Sequence, residues 1–210
     1  MKVILIAGTH AWRGDQTQDW FTFGSPFVRF LNARGLDVVF TPEGQSFIWS
    51  TDLGGIGFGK GDLVVWKAAG VSLLQFCVPP LCPEKRIPPD QLSIVAHSHG
   101  LQPVLFACAA GLCVRTLISV GSPVRKDLRA VVAQARPNIG HWLHIHSDHS
   151  DRWQLFGSLF DGHWGVQRQQ AAADRNDSVP HVGHSQLLRD PDLFHHWVER
   201  GWVDVLNGVS

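Results

Sequence analysis

Five short, mostly apolar runs punctuate the chain, at 3–7, 36–40, 92–96, 115–120 and 142–146. They are rich in Val, Ile and Leu, and Gly, Pro or Asp bound most of them, a pattern that predicts parallel strands buried on both faces. Between them, residues near 25–34, 62–77, 101–110 and 125–135 show helical spacing. A last helix is predicted near 190–206, where Leu193, Phe194, Trp197, Val198, Val205 and Leu206 supply the apolar positions. Such alternation predicts an α/β domain, a doubly wound, mostly parallel sheet with helices on both faces. Functional sites of these sheets form beyond the carboxyl ends of the strands. No repeat or linker divides the chain, and the irregular stretch flanked by Cys77–Pro83 and Ile87–Pro89 lies within it, so residues 1–210 are expected to form one domain.

Composition narrows the possible partners. With 210 residues, 44% of them hydrophobic and 17% charged, the chain can bury a sizeable core and is too apolar for disorder. Lys+Arg and Asp+Glu both number 18, so the basic footprint of a nucleic-acid binder is absent and a small or neutral partner is favoured. The apolar run within Met1–Gly8 is too short for a secretory leader. No apolar stretch approaches the about 20 residues that span a bilayer. A soluble, cytoplasmic protein without a membrane-spanning segment is expected. Cys77, Cys82, Cys108 and Cys113 lack C-x-x-C spacing and read as buried free thiols.

The chemistry concentrates after the third apolar run. Leu92-Ser93-Ile94-Val95-Ala96 passes into Ala96-His97-Ser98-His99-Gly100 and then into a helical pattern, the signature of a nucleophile elbow. Such a turn holds Ser98 in a strained backbone conformation at the strand tip, and small residues two before and two after it let strand and helix cross closely. The following helix aims its N-terminal N–H groups at an oxyanion formed on Ser98. Ala96 stands where the usual pattern has glycine.

A serine hydroxyl needs a histidine to take its proton and an acid to orient that histidine. The order serine, acid, histidine is the one this strand-turn-helix architecture uses. His184, in a Gly-containing turn before the C-terminal helix, is the favoured base, with His181 a nearby alternative and His195 and His196 inside the helix. The acid should follow the strand at 142–146, where Asp148 and Asp151 both stand; Asp151 is favoured, with a helix N-cap as its competing role. Oxyanion donors are expected from the backbone N–H groups of His99 and of Thr9, the latter in the turn after the first strand.

Taken together, the Gly8-Thr9 loop, the Ala96–Gly100 elbow, the post-strand acid and the Gly183-His184-Ser185 loop resemble the α/β-hydrolase superfamily of serine esterases and lipases over nearly the whole length. The resemblance implies hydrolysis of a small-molecule acyl ester, or a related acyl bond, through an acyl-serine intermediate and without metal or organic cofactor.

Two rival readings use other residues or none. His144-Ile145-His146-Ser147-Asp148-His149 matches the H-x-H-x-D-H zinc motif of metal-dependent hydrolases, although the chain after His149 is short for the further ligands such a fold needs. A catalytically inactive scaffold used for binding is the other. Gly54–Gly61 imitates a phosphate-binding loop but has Gly61 where Ser or Thr must hold magnesium, and is expected to flank the site as a loop instead. Trp12, Trp20, Trp49, Trp153 and Trp164 are candidates to line a pocket, whereas Trp66, Trp142, Trp197 and Trp202 are expected in the core.

Overall fold

A computed structural model of the chain describes residues 1–8, 19–42, 44, 46–47, 60–79, 86–147 and 169–209. Among them six strands form one sheet: β1 (Lys2–Ile6), β2 (Asp37–Val38), β3 (Leu92–His97), β4 (Val114–Val120), β5 (Ile139–Ser147) and β6 (Arg175–Val179). Their order is β2-β1-β3-β4-β5-β6, and every neighbouring pair is parallel. The helices are α1 (Pro26–Asn32), α2 (Lys60–Cys77), α3 (Leu101–Ala109), α4 (Arg129–Ala135), α5 (Gln186–Arg189), α6 (His195–Glu199) and α7 (Trp202–Asn207). None of the described helices is long and apolar enough to cross a membrane.

The apolar runs form strands because both of their faces are covered. Val3 and Leu5 of β1, Val95 of β3 and Leu143 and Ile145 of β5 pack with α1 and the C-terminal helices, through Phe27, Leu31, Leu187, Trp197 and Trp202. Ile4, Ile6, Ile94, Ala96 and Trp142, one position out of phase, meet α2, α3 and α4 through Leu73, Val104, Leu105 and Ala135. This two-residue alternation puts helices on both faces of the sheet, as the sequence predicts. The α/β doubly wound architecture therefore stands, with a sheet that is all parallel.

Two elements differ from expectation. The sixth strand, Arg175-Asn176-Asp177-Ser178-Val179, has one apolar residue and gives no hydrophobic signal; its place comes from pairing with β5, where His144 lies opposite Asn176 and Ser147 opposite Val179. The helix expected at 190–206 is broken: Gly201 adopts φ 70°, a left-handed conformation open to glycine, and α6 and α7 pack on either side of it. The break turns Trp197 and Trp202 edge to face, with ring centroids 5.4 Å apart.

Of the cysteines, Cys77 and Cys108 are buried free thiols, and burial pushes the Cys77 thiol up to about 12 and the Cys108 thiol higher still. Cys113 is exposed, contrary to expectation, because it follows the turn after α3 rather than entering the core. Cys82 lies outside the described residues.

Candidate active site

The carboxyl end of β3 meets α3 at Ser98. His97 is still extended (φ −108°, ψ 136°), Ser98 turns to φ 54°, and Gly100 is already helical (φ −61°, ψ −18°). A side-chain-bearing residue in the left-handed region carries strain that the surroundings must impose. Here they do so by crowding. A Cβ on Gly100 would come within 2.6 Å of the Ala7 carbonyl oxygen, and one on Gly8 within 2.6 Å of Ser98 Cβ and 3.2 Å of its Oγ. The end of β1 thus presses directly on the elbow, and glycine at both positions makes the approach possible. Ala96, fully buried, fits where the pattern usually has glycine.

The loop that follows β6 carries both candidate histidines. His181 is exposed in a turn at φ 61°. His184 is half-buried, and its ring lies on that of His97, with centroids 4.6 Å apart. Two strand-end side chains hold this loop by its carbonyls: His97 Nε2 donates to His184 O at 3.0 Å, and the Ser147 hydroxyl donates to Val182 O. Gln186 closes the turn by accepting from the Gly183 N–H at 2.6 Å. Gly121, just past β4, fits beneath, where a Cβ would stand 3.3 Å from His184 O. The ends of β3, β4 and β5 therefore jointly place His184 beside the residue that precedes Ser98.

The sequence pattern does not single out His97. A carbonyl can only accept, so Nε2 carries the proton. Burial, and then the nearby His184, hold its pKa well below the usual imidazole range, so the ring is neutral at neutral pH. Trp20 meets the His97 ring edge to face at 6.1 Å and is itself buried, which places it in the core rather than on an open pocket wall.

His99 turns its ring toward α2 and stacks on Trp66, with centroids 5.8 Å apart and planes 18° from parallel. The Arg125 guanidinium lies 4.7 Å from the Trp66 ring centroid and is held by Asp127 at 2.7 Å. Trp66 is buried as expected, yet it also fixes the side chain next to Ser98. Trp142, Trp197 and Trp202 are buried in the core.

The rival histidine cluster is only partly described. His144 is fully buried within the sheet; the Ser119 hydroxyl, which accepts the Trp142 indole N–H at 2.9 Å, is also hydrogen-bonded to His144 Nδ1 at 2.8 Å. That nitrogen is thereby committed to the core. His146 is half-buried, its ring 5.8 Å from that of His144. Asp148, His149 and Asp151 lie outside the described residues, as do Thr9, Trp12, Trp49, Trp153, Trp164 and the glycines from Gly54 to Gly59.

Solved structures share the overall fold. The chain matches over 99% of its length a dienelactone hydrolase-like promiscuous phosphotriesterase from metagenomic libraries, covering 86% of that chain at a TM-score of 0.56 and 10% identity. The fold is that of the α/β-hydrolases. An esterase from Pyrococcus furiosus shares it at a TM-score of 0.55 and 13% identity, with 98% of this chain and 82% of that one covered. The esterase domain of a Rhodothermus marinus protein shares it at 0.53 and 16%, with 96% and 84% covered. No family model matches the sequence, and no curated protein is similar enough to it to count as a match. Ser98 directly follows β3 and His184 lies in the loop after β6, so both stand beyond the carboxyl ends of parallel strands.

Proposed function

We propose that the chain is a serine hydrolase cleaving an ester or related acyl bond, with Ser98 as nucleophile and His184 as base. One observation carries the proposal: Ser98 holds φ 54° at the end of an interior strand, and the His184 ring lies against the residue beside it. In this reading Ser98 Oγ attacks the acyl carbonyl while His184 takes its proton. The oxyanion is received by the backbone N–H of His99, at the start of the helical segment, and by that of Thr9. Each such donor contributes about 3–4 kcal/mol to the transition state. Collapse expels the alcohol, protonated by His184, and leaves an acyl-serine; water then attacks it with His184 again as base. Asp151, with Asp148 as the alternative, orients the imidazole. The esterases among the structural neighbours support a small-molecule acyl ester as substrate.

A fluorophosphonate probe and p-nitrophenyl acetate test the assignment. The chain is expected to label at a single serine and to turn over the ester, and Ser98→Ala is expected to lose both while staying folded. A wild-type chain that neither labels nor hydrolyses short esters would overturn the reading in favour of a binding scaffold. Activity in Ser98→Ala that EDTA removes and zinc restores would transfer the reaction to the His144–His149 cluster.

A further inference from the structure

Helix α6 carries a face that the reaction proposed above does not use. His195, His196 and Glu199 stand at positions i, i+1 and i+4, so each histidine has the glutamate three or four residues on, where helix side chains become neighbours. One ligand atom from each of the three lies within 4.8 Å of the other two. The two imidazole centroids are 4.1 Å apart.

The orientation of His195 is set independently. Its Nδ1 donates to the Asp192 carbonyl at 2.7 Å, which puts the proton on Nδ1 and leaves the Nε2 lone pair available. A backbone carbonyl on the other ring nitrogen is the support that metal-binding histidines ordinarily have. The helix cannot easily roll away from this arrangement. Trp197, within the same turn, is fully buried, and its indole donates to Leu187 O at 2.8 Å.

We propose that His195, His196 and Glu199 form a binding site for a divalent first-row transition ion of the zinc class. Two imidazole nitrogens and a carboxylate oxygen supply the protein ligands, and water completes the shell. That donor set suits zinc, nickel or copper rather than calcium or magnesium, which take oxygen ligands. Ligand atoms at 2.0–2.2 Å from a tetrahedral ion are about 3.4 Å apart. His195 and Glu199 are exposed and His196 half-buried, so the remaining closure is a matter of side-chain rotation with the backbone in place. Bound there, an ion ties both ends of α6 to the turn at Asp192 and stabilises the folded chain by mass action. The site makes no use of Ser98 or His184, and its test is independent of theirs.

Calorimetric titration of the chain with zinc chloride, free of any polyhistidine tag, tests the site. One ion per chain is expected. His195→Ala and Glu199→Gln should each weaken binding about tenfold or more, and the zinc-dependent rise in melting temperature should vanish in both. His149→Ala should leave the affinity unchanged. Absence of binding at millimolar zinc, or binding that survives both substitutions, overturns the proposal. Binding lost in His149→Ala but kept in His195→Ala overturns it too, and moves the ion to the loop after β5.

Discussion

The sharpest test of the site's architecture is the single hydrogen bond from His97 to the backbone of His184. Replacing His97 by Met removes the donor while keeping an unbranched side chain of similar reach; replacing it by Gln keeps an N–H at about the place of Nε2. The His184 carbonyl and the His97 ring face each other at 3.0 Å, with His97 only 7% exposed, so water cannot readily stand in for the lost donor. An orphaned buried polar group costs about 1–3 kcal/mol. If the loop escapes that cost by shifting, His184 moves with it, and the penalty appears in the barrier as a fall in kcat of about five- to 150-fold. KM should change little, because the hydrogen bond touches no substrate. Steady-state hydrolysis of p-nitrophenyl acetate by wild type, His97→Met and His97→Gln reads the effect, with Gln expected to recover most of the loss. Wild-type kcat in the Met variant, in a chain where Ser98→Ala is inactive, would refute the argument that this bond holds the base in position.

The same residue predicts a pH dependence of stability. Because burial, and then His184, lower the His97 pKa well below its ordinary 6.5, the unfolded chain binds a proton that the folded chain refuses. This contribution is complete above about pH 6.5 and is lost as pH falls toward the folded value, by at most about 1.4 kcal/mol per pH unit. Urea midpoints between pH 7 and 5 should fall less steeply for His97→Gln than for wild type; equal slopes would count against it. The strain at Ser98 is testable without any substrate: Ser98→Gly should exceed Ser98→Ala in stability by about 1 kcal/mol, and the reverse order in thermal melts would mean that φ 54° costs nothing. For the acid, Asp151→Asn should lower turnover by about four orders of magnitude through the wrong imidazole tautomer, with Asp148→Asn mild. The converse in matched kinetics would assign the role to Asp148.

The parts of this fold that were legible in the sequence are those in which burial and steric demand act locally. Leu92–Ala96 reads as a buried strand because both of its faces are mostly apolar, and Ala96-His97-Ser98-His99-Gly100 reads as an elbow because only small residues permit the crossing that Gly100 makes with Ala7. Strand β6 was not legible, since its place depends on backbone pairing with β5 rather than on apolar side chains. The break between α6 and α7 had a signal in Gly201, which the apolar spacing around it outweighed. His97 could also have been found: a histidine closing an otherwise apolar, buried run needs a hydrogen-bond partner, and the loop bearing His184 was the segment expected nearby. The loop-like surroundings of Trp20 suggested a pocket wall, whereas its burial comes from contacts with Phe21, Phe27 and His97.

The polarity that hid β6 also marks the margin of the sheet among the described strands. Among the described strands β6 is outermost, and an outer strand presents backbone groups to which another chain could add. Arg175 and Asp177 pair with each other there at 2.6 Å, and Arg175 and Arg200 each donate to backbone carbonyls, of Arg200 and Ser178 respectively. An incoming strand would have to desolvate these charges and displace the guanidinium already bonded to Ser178. At the opposite margin β2 is two residues long, too short to template a partner. Six parallel strands with so apolar an interior would otherwise invite edge-to-edge growth, and the least hydrophobic segment of the sheet is the one that resists it.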